Sequence, residues 1–306
     1  MKHTPYHRPN SSEEPHQVLT ASQSSAAVHD PHPHSRSKLQ LLLIILTYAV
    51  FITLLIAPLL QMLLGAFQGG WGSALASLLR PESLHALGVT AAVVGVVTLL
   101  NVVFGVWLSI VLVRGGWLNG FVRRLLNAII DLPFAVSPII GGFMIVLLLG
   151  PQTIMGTLFA DMGVQIVYAF PGMVLATLFV TFPLLIREVV PVLQEIGTQQ
   201  EEAASMLGAY DWTTFWKVTW PSIRWGVLYG VVLTIARSLG EFGAILVVSG
   251  NIMNKTQTAT TLVYQDVENF NITAASSLAL VLVFSSIILL LVMEWAKRHA
   301  GRKGVH

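Results

Sequence analysis

The chain has no cysteine among its 306 residues, which excludes disulfides, thiolate metal sites and a cysteine nucleophile. Charge is almost as scarce, at 10% of residues, where an ordinary soluble domain carries roughly 25%. Whole blocks lack it: residues 39–79, 83–113, 132–160, 162–186 and 269–293 hold no Asp, Glu, Lys or Arg. Each block can hold a helix of about 20 residues, the length that crosses a bilayer. No lysine sits in a Gly-x-x-x-x-Gly-Lys-Ser/Thr context, so the chain has no loop of that type to cradle nucleotide phosphates. Neither a metal site nor a nucleic-acid partner is expected.

What remains is apolar, 54% of residues, and it reads as an all-α integral membrane protein with six transmembrane helices. Five spans follow from hydropathy, at about 39–67, 87–112, 125–149, 166–186 and 276–295. A sixth, the fifth in chain order, covers about 227–248 and is interrupted by Arg237 and Glu241. Those two lie four residues apart and so share one helical face, which can be turned away from lipid. Residues 1–37 are rich in Ser, His and Pro and are predicted to be a disordered cytoplasmic tail. Six of the nine histidines fall in it, at irregular spacing that argues against a defined metal site. The predicted division is therefore a tail, 1–37, and a six-helix membrane domain, 38–306.

Lys and Arg set the orientation. With both termini in the cytoplasm, Arg80 and Lys255 face outward, whereas Arg114, Arg123, Arg124, Arg187, Lys217, Arg224 and the basic residues of both termini face inward. The segment from about Arg187 to Arg224 is then a cytoplasmic loop. Within it Thr198 to Glu201 fits a capping box at a helix start, Gly208 suits a left-handed C-terminal cap, and Asp211 can cap a second short helix that Pro221 ends. On that second helix Trp212, Phe215 and Trp216 share a face. Such an element presents apolar side chains to a partner, or folds back on its own bundle or the bilayer surface.

The residues of this loop resemble the signature of permeases from ATP-binding-cassette importers: Glu-Ala-Ala, three residues, Gly, nine residues, then Ile-x-Leu-Pro. Here it reads Glu202, Ala203, Ala204, then Gly208, then Val218-Thr219-Trp220-Pro221, with both spacings kept and with Val for Ile and Trp for Leu. The resemblance implies a type I importer permease (MetI-like) whose segment 198–221 docks on a separate ATPase through Glu202, Ala203, Ala204, Gly208 and Pro221. ATP and Mg would be bound by that partner, and this chain would bind no cofactor.

Longer strings, Asp131 to Pro138, EEAASMLGA from Glu201, Arg224 to Gly230 and Ala236 to Gly243, resemble the CysW family of sulfate/thiosulfate importer permeases. That resemblance implies a homologous CysT-like second permease, two CysA-like ATPase subunits and an extracytoplasmic sulfate-binding protein, assembled in the bilayer of a bacterial inner membrane. Molybdate and tungstate permeases share part of the last string and supply the alternative cargo. An ion-coupled secondary transporter, or a non-transporting sensor or assembly protein acting through its histidine tail, are readings from other classes.

Candidate pathway or gate residues come from charge and proline inside the spans. Arg237, with Ser238 and Glu241 beside it, lies near mid-membrane, where an ionic group is a functional candidate by default. A buried salt bridge that holds the bundle together is the preferred reading, because a carboxylate one turn away would repel a dianion. Ser137 and Pro138 either restart a helix and leave backbone N–H groups free for an oxyanion, or, as preferred, mark a simple proline kink. Gly141 and Gly142 read as close-packing positions. Deleting residues 1–37 is predicted to leave sulfate uptake by whole cells near the full-length level; loss of uptake with normal membrane insertion would make the tail the active part.

Overall fold

A computed structural model describes residues 38–116 and 119–301, and the tail prediction for 1–37 lies outside them. By internal contacts the chain divides after Thr53 into two units. The first contributes the N-terminal half of helix α1 (Lys38–Phe67), whose apolar window is wholly unburied, as a lipid-facing span requires.

In the second unit every element among the described residues is helical. In chain order they are α2 (Gly70–Leu78), α3 (Pro81–Leu100), a π-helical turn (Asn101–Gly105), α4 (Val106–Arg114), α5 (Gly120–Ala135), α6 (Pro138–Leu149) and α7 (Ile154–Asp161). Then come α8 (Phe170–Ile196), α9 (Gln199–Met206), α10 (Asp211–Thr214), a second π-helical turn (Phe215–Thr219), α11 (Trp220–Leu239), α12 (Gly243–Ser249), α13 (Ala259–Glu268) and α14 (Ile272–Gly301).

Four stretches are single helices long and apolar enough to cross a bilayer, namely α1, α3 with α4, α8 and α14. The pairs α5 with α6 and α10–α11 with α12 pass the same test only together, bent by 113° and 61°. Each pair counted as one span gives the six-helix membrane architecture. Short helices α2, α7 and α13 fill loops for which no helix is predicted above.

Several predicted boundaries are corrected. The fourth span runs to Ile196, so Arg187 is helical and the segment between spans shrinks to about 197–219. The helix carries Pro183, and its extension Pro191, whose missing backbone donors are tolerated where neighbouring helices pack. The second span begins at Pro81, where proline suits the first helical turn, and the sixth begins at Ile272. The fifth is not continuous: α11 stops at Leu239 and Glu241 lies in the break, so it does not share a helical face with Arg237.

Helix α8 is the hub. Its inner face supplies Leu185, Val189 and Leu193, which pack with Val106, Ile223 and Val227, while Met173 and Val174 pack with Val93, Val97 and Ile245. Close approach depends on missing side chains. A Cβ at Gly230 would meet Leu185 Cα at 3.0 Å, and one at Gly142 would meet the Ala244 carbonyl oxygen at 2.6 Å. Gly142 is thus the close-packing position the sequence suggests. Asn101, fully buried in the π turn, donates from Nδ2 to Thr181 Oγ1 at 2.9 Å and ties the second span to α8. Gly142→Val should lower unfolding stability in detergent by about 1–3 kcal/mol through overpacking against backbone. Gly88→Ala, where a Cβ meets nothing within 4 Å, should not.

Candidate functional site

The 113° bend between α5 and α6 is set locally by Pro138. Steric conflict with a proline ring holds the preceding residue extended, and Ser137 (ψ 138°) and Val136 (ψ 132°) are both so. The chain restarts as α6 with Pro138 in its first turn, and Gly141 N–H donating to Ser137 O at 3.0 Å is its first bond. The preferred reading of a simple kink is therefore replaced by a helix restart. The Ser137 hydroxyl makes no cap hydrogen bond, so the N–H groups of Ile139 and Ile140 begin α6 without a side-chain partner from it.

A cavity of about 520 Å³ opens in this elbow, lined by residues 133–138, by Val180 and Leu184 of α8 and by Arg237 of α11. The structure thus brings Ser137, Pro138 and Arg237 together. Ser238 and Glu241, at 2% exposure each, are buried and not among the lining residues. Arg237 Nη1 stands 2.9 Å from Glu241 Oε2. Glu241 Oε1 accepts the Ala244 N–H at 3.0 Å and so caps α12, and the Glu241 carbonyl accepts the Thr260 hydroxyl at 2.7 Å. The carboxylate joins α11 to α12 at the break, and the backbone carbonyl of the same residue adds α13. Electrostatically the elbow sets an arginine neutralised by Glu241 across from the N-terminal end of α6.

The second candidate region is the segment between α8 and α11. Gly197 (φ +68°) ends α8, and Gly208 (φ +80°) takes the left-handed conformation expected of it. Around Gly208, Ala209 N–H donates to Ala204 O at 3.0 Å, the long bond of a helix C-cap. The predicted caps fail. Thr198 occupies the N-cap without a side-chain bond, and the Glu201 carboxylate that would complete the box is engaged elsewhere: it pairs with Arg114 Nε at 2.8 Å and accepts from Thr219 Oγ1 at 2.8 Å. Asp211 is the first residue of α10 and Tyr210 is its N-cap. Pro221 does not end a helix. It sits in the first turn of α11, which continues through the π turn without a stop, so residues 211–239 act as one helix.

Sequence reasoning missed this clamp. Arg114 lies 87 residues before Glu201 and also donates to the Gly197 carbonyl, a pairing that no local spacing reveals.

The segment has two distinct faces. Trp212, Phe215, Trp216 and Trp220 stack with neighbouring ring centroids 5.2–6.3 Å apart and share an apolar groove of about 740 Å³ with Val102, Phe104, Val106 and Trp107. The other face is bare. Glu202, Ala203 and Gly208 are exposed, Ala204 is half-buried, and Met206 (88%), Leu207 (89%) and Tyr210 (83%) project almost fully. Large apolar side chains exposed in a cluster are a signature of a protein contact.

Residues 101–303 match the family described as binding-protein-dependent transport system inner membrane component. The chain is 42% identical over 264 residues to the "Sulfate transport system permease protein CysW" of Synechocystis sp., covering 86% of this chain and 95% of that one. It is 37% identical over 270 residues to CysW of Escherichia coli, covering 87% and 91%. It is 32% identical over 260 residues to that organism's CysT, covering 85% and 93%. Among solved structures, a crystal structure of a bacterial alginate ABC transporter with its pentasaccharide-bound periplasmic protein superposes at a TM-score of 0.67. At 16% identity over 86% of this chain and 94% of that one, the likeness concerns the fold.

The ion pair predicts an asymmetry. Arg237→Leu leaves the Glu241 carboxylate buried without its counter-charge and should cost about 3 kcal/mol or more. Adding Glu241→Gln keeps an acceptor for the Ala244 N–H and should restore most of the loss. Unfolding of the purified protein in detergent measures both, and a double variant no more stable than the single one would contradict the structural role of the pair.

Proposed function

Because the chain belongs to the family of binding-protein-dependent transport system inner membrane components, and specifically to its CysW-type sulfate permeases, we propose that it forms half of the translocation pathway of an ATP-driven sulfate importer that also takes thiosulfate. The observation that carries the reading is the 42% identity to a sulfate permease across nearly the whole of both chains. The relatives named above carry sulfate in their names and give the molybdate alternative no support. An ion-coupled mechanism asks for a free acidic group within the spans, and Glu241 is committed to Arg237 and Ala244.

In the assembled transporter this permease pairs with a homologous CysT-like subunit, receives sulfate from an extracytoplasmic binding protein, and docks on one of the two CysA-like ATPase subunits that bind ATP and Mg. It lies in the bacterial inner membrane with both termini cytoplasmic, an orientation supported by Arg114, Arg123, Arg124, Arg187, Lys217 and Arg224 on one side against Arg80 and Lys255 on the other. The subunit carries no catalytic step itself.

Residues 198–221 are the coupling segment. Met206, Leu207 and Tyr210 form the apolar tip that the ATPase covers, beside Glu202, Ala203, Ala204 and Gly208. Closure of the ATPases moves the tip. Arg114, Glu201 and Thr219 pass that motion to α11, whose far end is the break beside Arg237 and Glu241. Ser137 and Pro138, across the elbow cavity from Arg237, line the route. The N–H groups of Ile139 and Ile140, which begin α6 just after them, stabilise an oxyanion in passage.

Proteoliposomes holding the four-part assembly test the reading: ATP-dependent uptake of radiolabelled sulfate, with molybdate a poor competitor, is the expected result. Sulfate uptake by the chain alone under an ion gradient would overturn it. Gly208→Asp adds left-handed backbone strain but no clash, since a Cβ there meets nothing within 4 Å, and Asp tolerates that conformation better than most residues; it should leave insertion near normal yet abolish ATP-driven uptake. Uptake within twofold of the parent would count against the coupling role.

A further inference from the structure

A second cavity, of about 450 Å³, lies where α4, α5 and α8 approach the end of the bundle that carries the coupling segment. Its lining divides into two parts. Leu112, Val113, Val190 and Pro191 form an apolar wall, and Arg123, Asn127, Arg187 and Gln194 form a polar rim.

The rim is rich in unused donors. Arg123 makes no side-chain hydrogen bond or ion pair among the described residues. Arg187 spends Nε and Nη2 on the two oxygens of Asp131, and its Nη1 is left over. Asn127 is committed, donating from Nδ2 to the Arg123 carbonyl at 2.9 Å. The Gln194 side chain has no partner among the described residues.

The helix geometry also keeps acids away from this rim. Residues 187, 190, 191 and 194 follow the i, i+3, i+4, i+7 pattern of one face of α8, and Glu188 and Glu195 fall about 100° away from it. Asp131 is then the acid that competes for the site, through Arg187.

We propose that this cavity binds a tetrahedral oxyanion, held by the guanidinium fork of Arg123, the spare Nη1 of Arg187 and the Gln194 amide, with the apolar wall beside it. A planar guanidinium presents paired N–H groups at the spacing of two phosphate or sulfate oxygens. Two sources carry that chemistry. One is the phosphodiester of an anionic phospholipid, whose glycerol and first methylenes would lie on Leu112 and Val190; basic pockets between helices on the cytoplasmic side suit such headgroups. The other is free sulfate or phosphate. Val113 adjoins Arg114, so the site sits one residue from the clamp that anchors the coupling segment.

The side of the membrane rests on the transport reading, but the binding does not, and the experiment reads binding alone. In one arm, the intact complex in phosphatidylcholine nanodiscs, without ATP or binding protein, is dialysed to equilibrium against radiolabelled sulfate. In the other, complex purified from native membranes is assayed for retained phosphatidylglycerol by native mass spectrometry. Arg123→Gln should weaken binding roughly five- to tenfold, and Asp131→Asn, by releasing Arg187, should strengthen it in the same arm. A response in the sulfate arm identifies the free anion, and one in the lipid arm identifies the headgroup. A response in both, each ligand displacing the other, identifies one site open to either. If neither arm responds to Arg123→Gln, or if Asp131→Asn weakens binding, the proposal is wrong, whatever the transporter carries.

Discussion

The segment between α8 and α11 takes its stiffness from one carboxylate, that of Glu201. Its carboxylate binds Arg114 at the end of α4 and the Thr219 hydroxyl at the foot of α11, both at 2.8 Å. Arg114 in turn holds the Gly197 carbonyl where α8 ends. One carboxylate therefore fastens α9 to three spans. With Arg114 and Glu201 side chains only 16% and 22% exposed, the pair is shielded enough from solvent to outweigh the small value of an open surface ion pair. Without it, α9 would be an eight-residue helix between two glycines, too short to hold its own geometry.

From that anchor the path inward is continuous. Residues 211–239 run as one helix through a π turn, a widened turn that lets the chain pass Pro221 without stopping. The helix ends where Glu241 caps α12, neutralises Arg237 and accepts the Thr260 hydroxyl from α13. A polar group inside a bilayer must find its partner within the protein, and Glu241 meets that demand with the same contacts that fix the angle of the break. The elbow at Ser137 and Pro138 faces Arg237 across one cavity, so the two broken spans, together with α8, shape the interior there.

The sequence makes some of this plain. Long blocks without charge mark the spans, and the Glu-Ala-Ala to Gly208 spacing marks the segment proposed to couple, because hydropathy and turn chemistry are local properties. The left-handed Gly208 and the apolar exposure around it follow from the same local rules. The breaks are less legible. Pro138 announces a disturbance, but whether a helix bends slightly or turns through 113° depends on what α8 offers to pack against. Arg237 and Glu241 look like a one-turn helical pair by spacing and are instead a helix end and a loop carboxylate. Glu201 was misassigned for a related reason: a capping box and a tertiary ion pair compete for one side chain, and the partner 87 residues away wins.

The apolar tip at Met206, Leu207 and Tyr210 is the surface proposed for an ATPase to grip. The chain has no cysteine of its own, so Leu207→Cys places a single thiol at the tip. In membranes containing the assembled transporter, a short thiol-to-amine cross-linker should join that cysteine to the ATPase subunit in high yield, and not join a control cysteine at Ile154 on the opposite side of the bundle. Cross-links from Leu207→Cys that form only within the permease, or with the ATPase present none at all, would contradict the account.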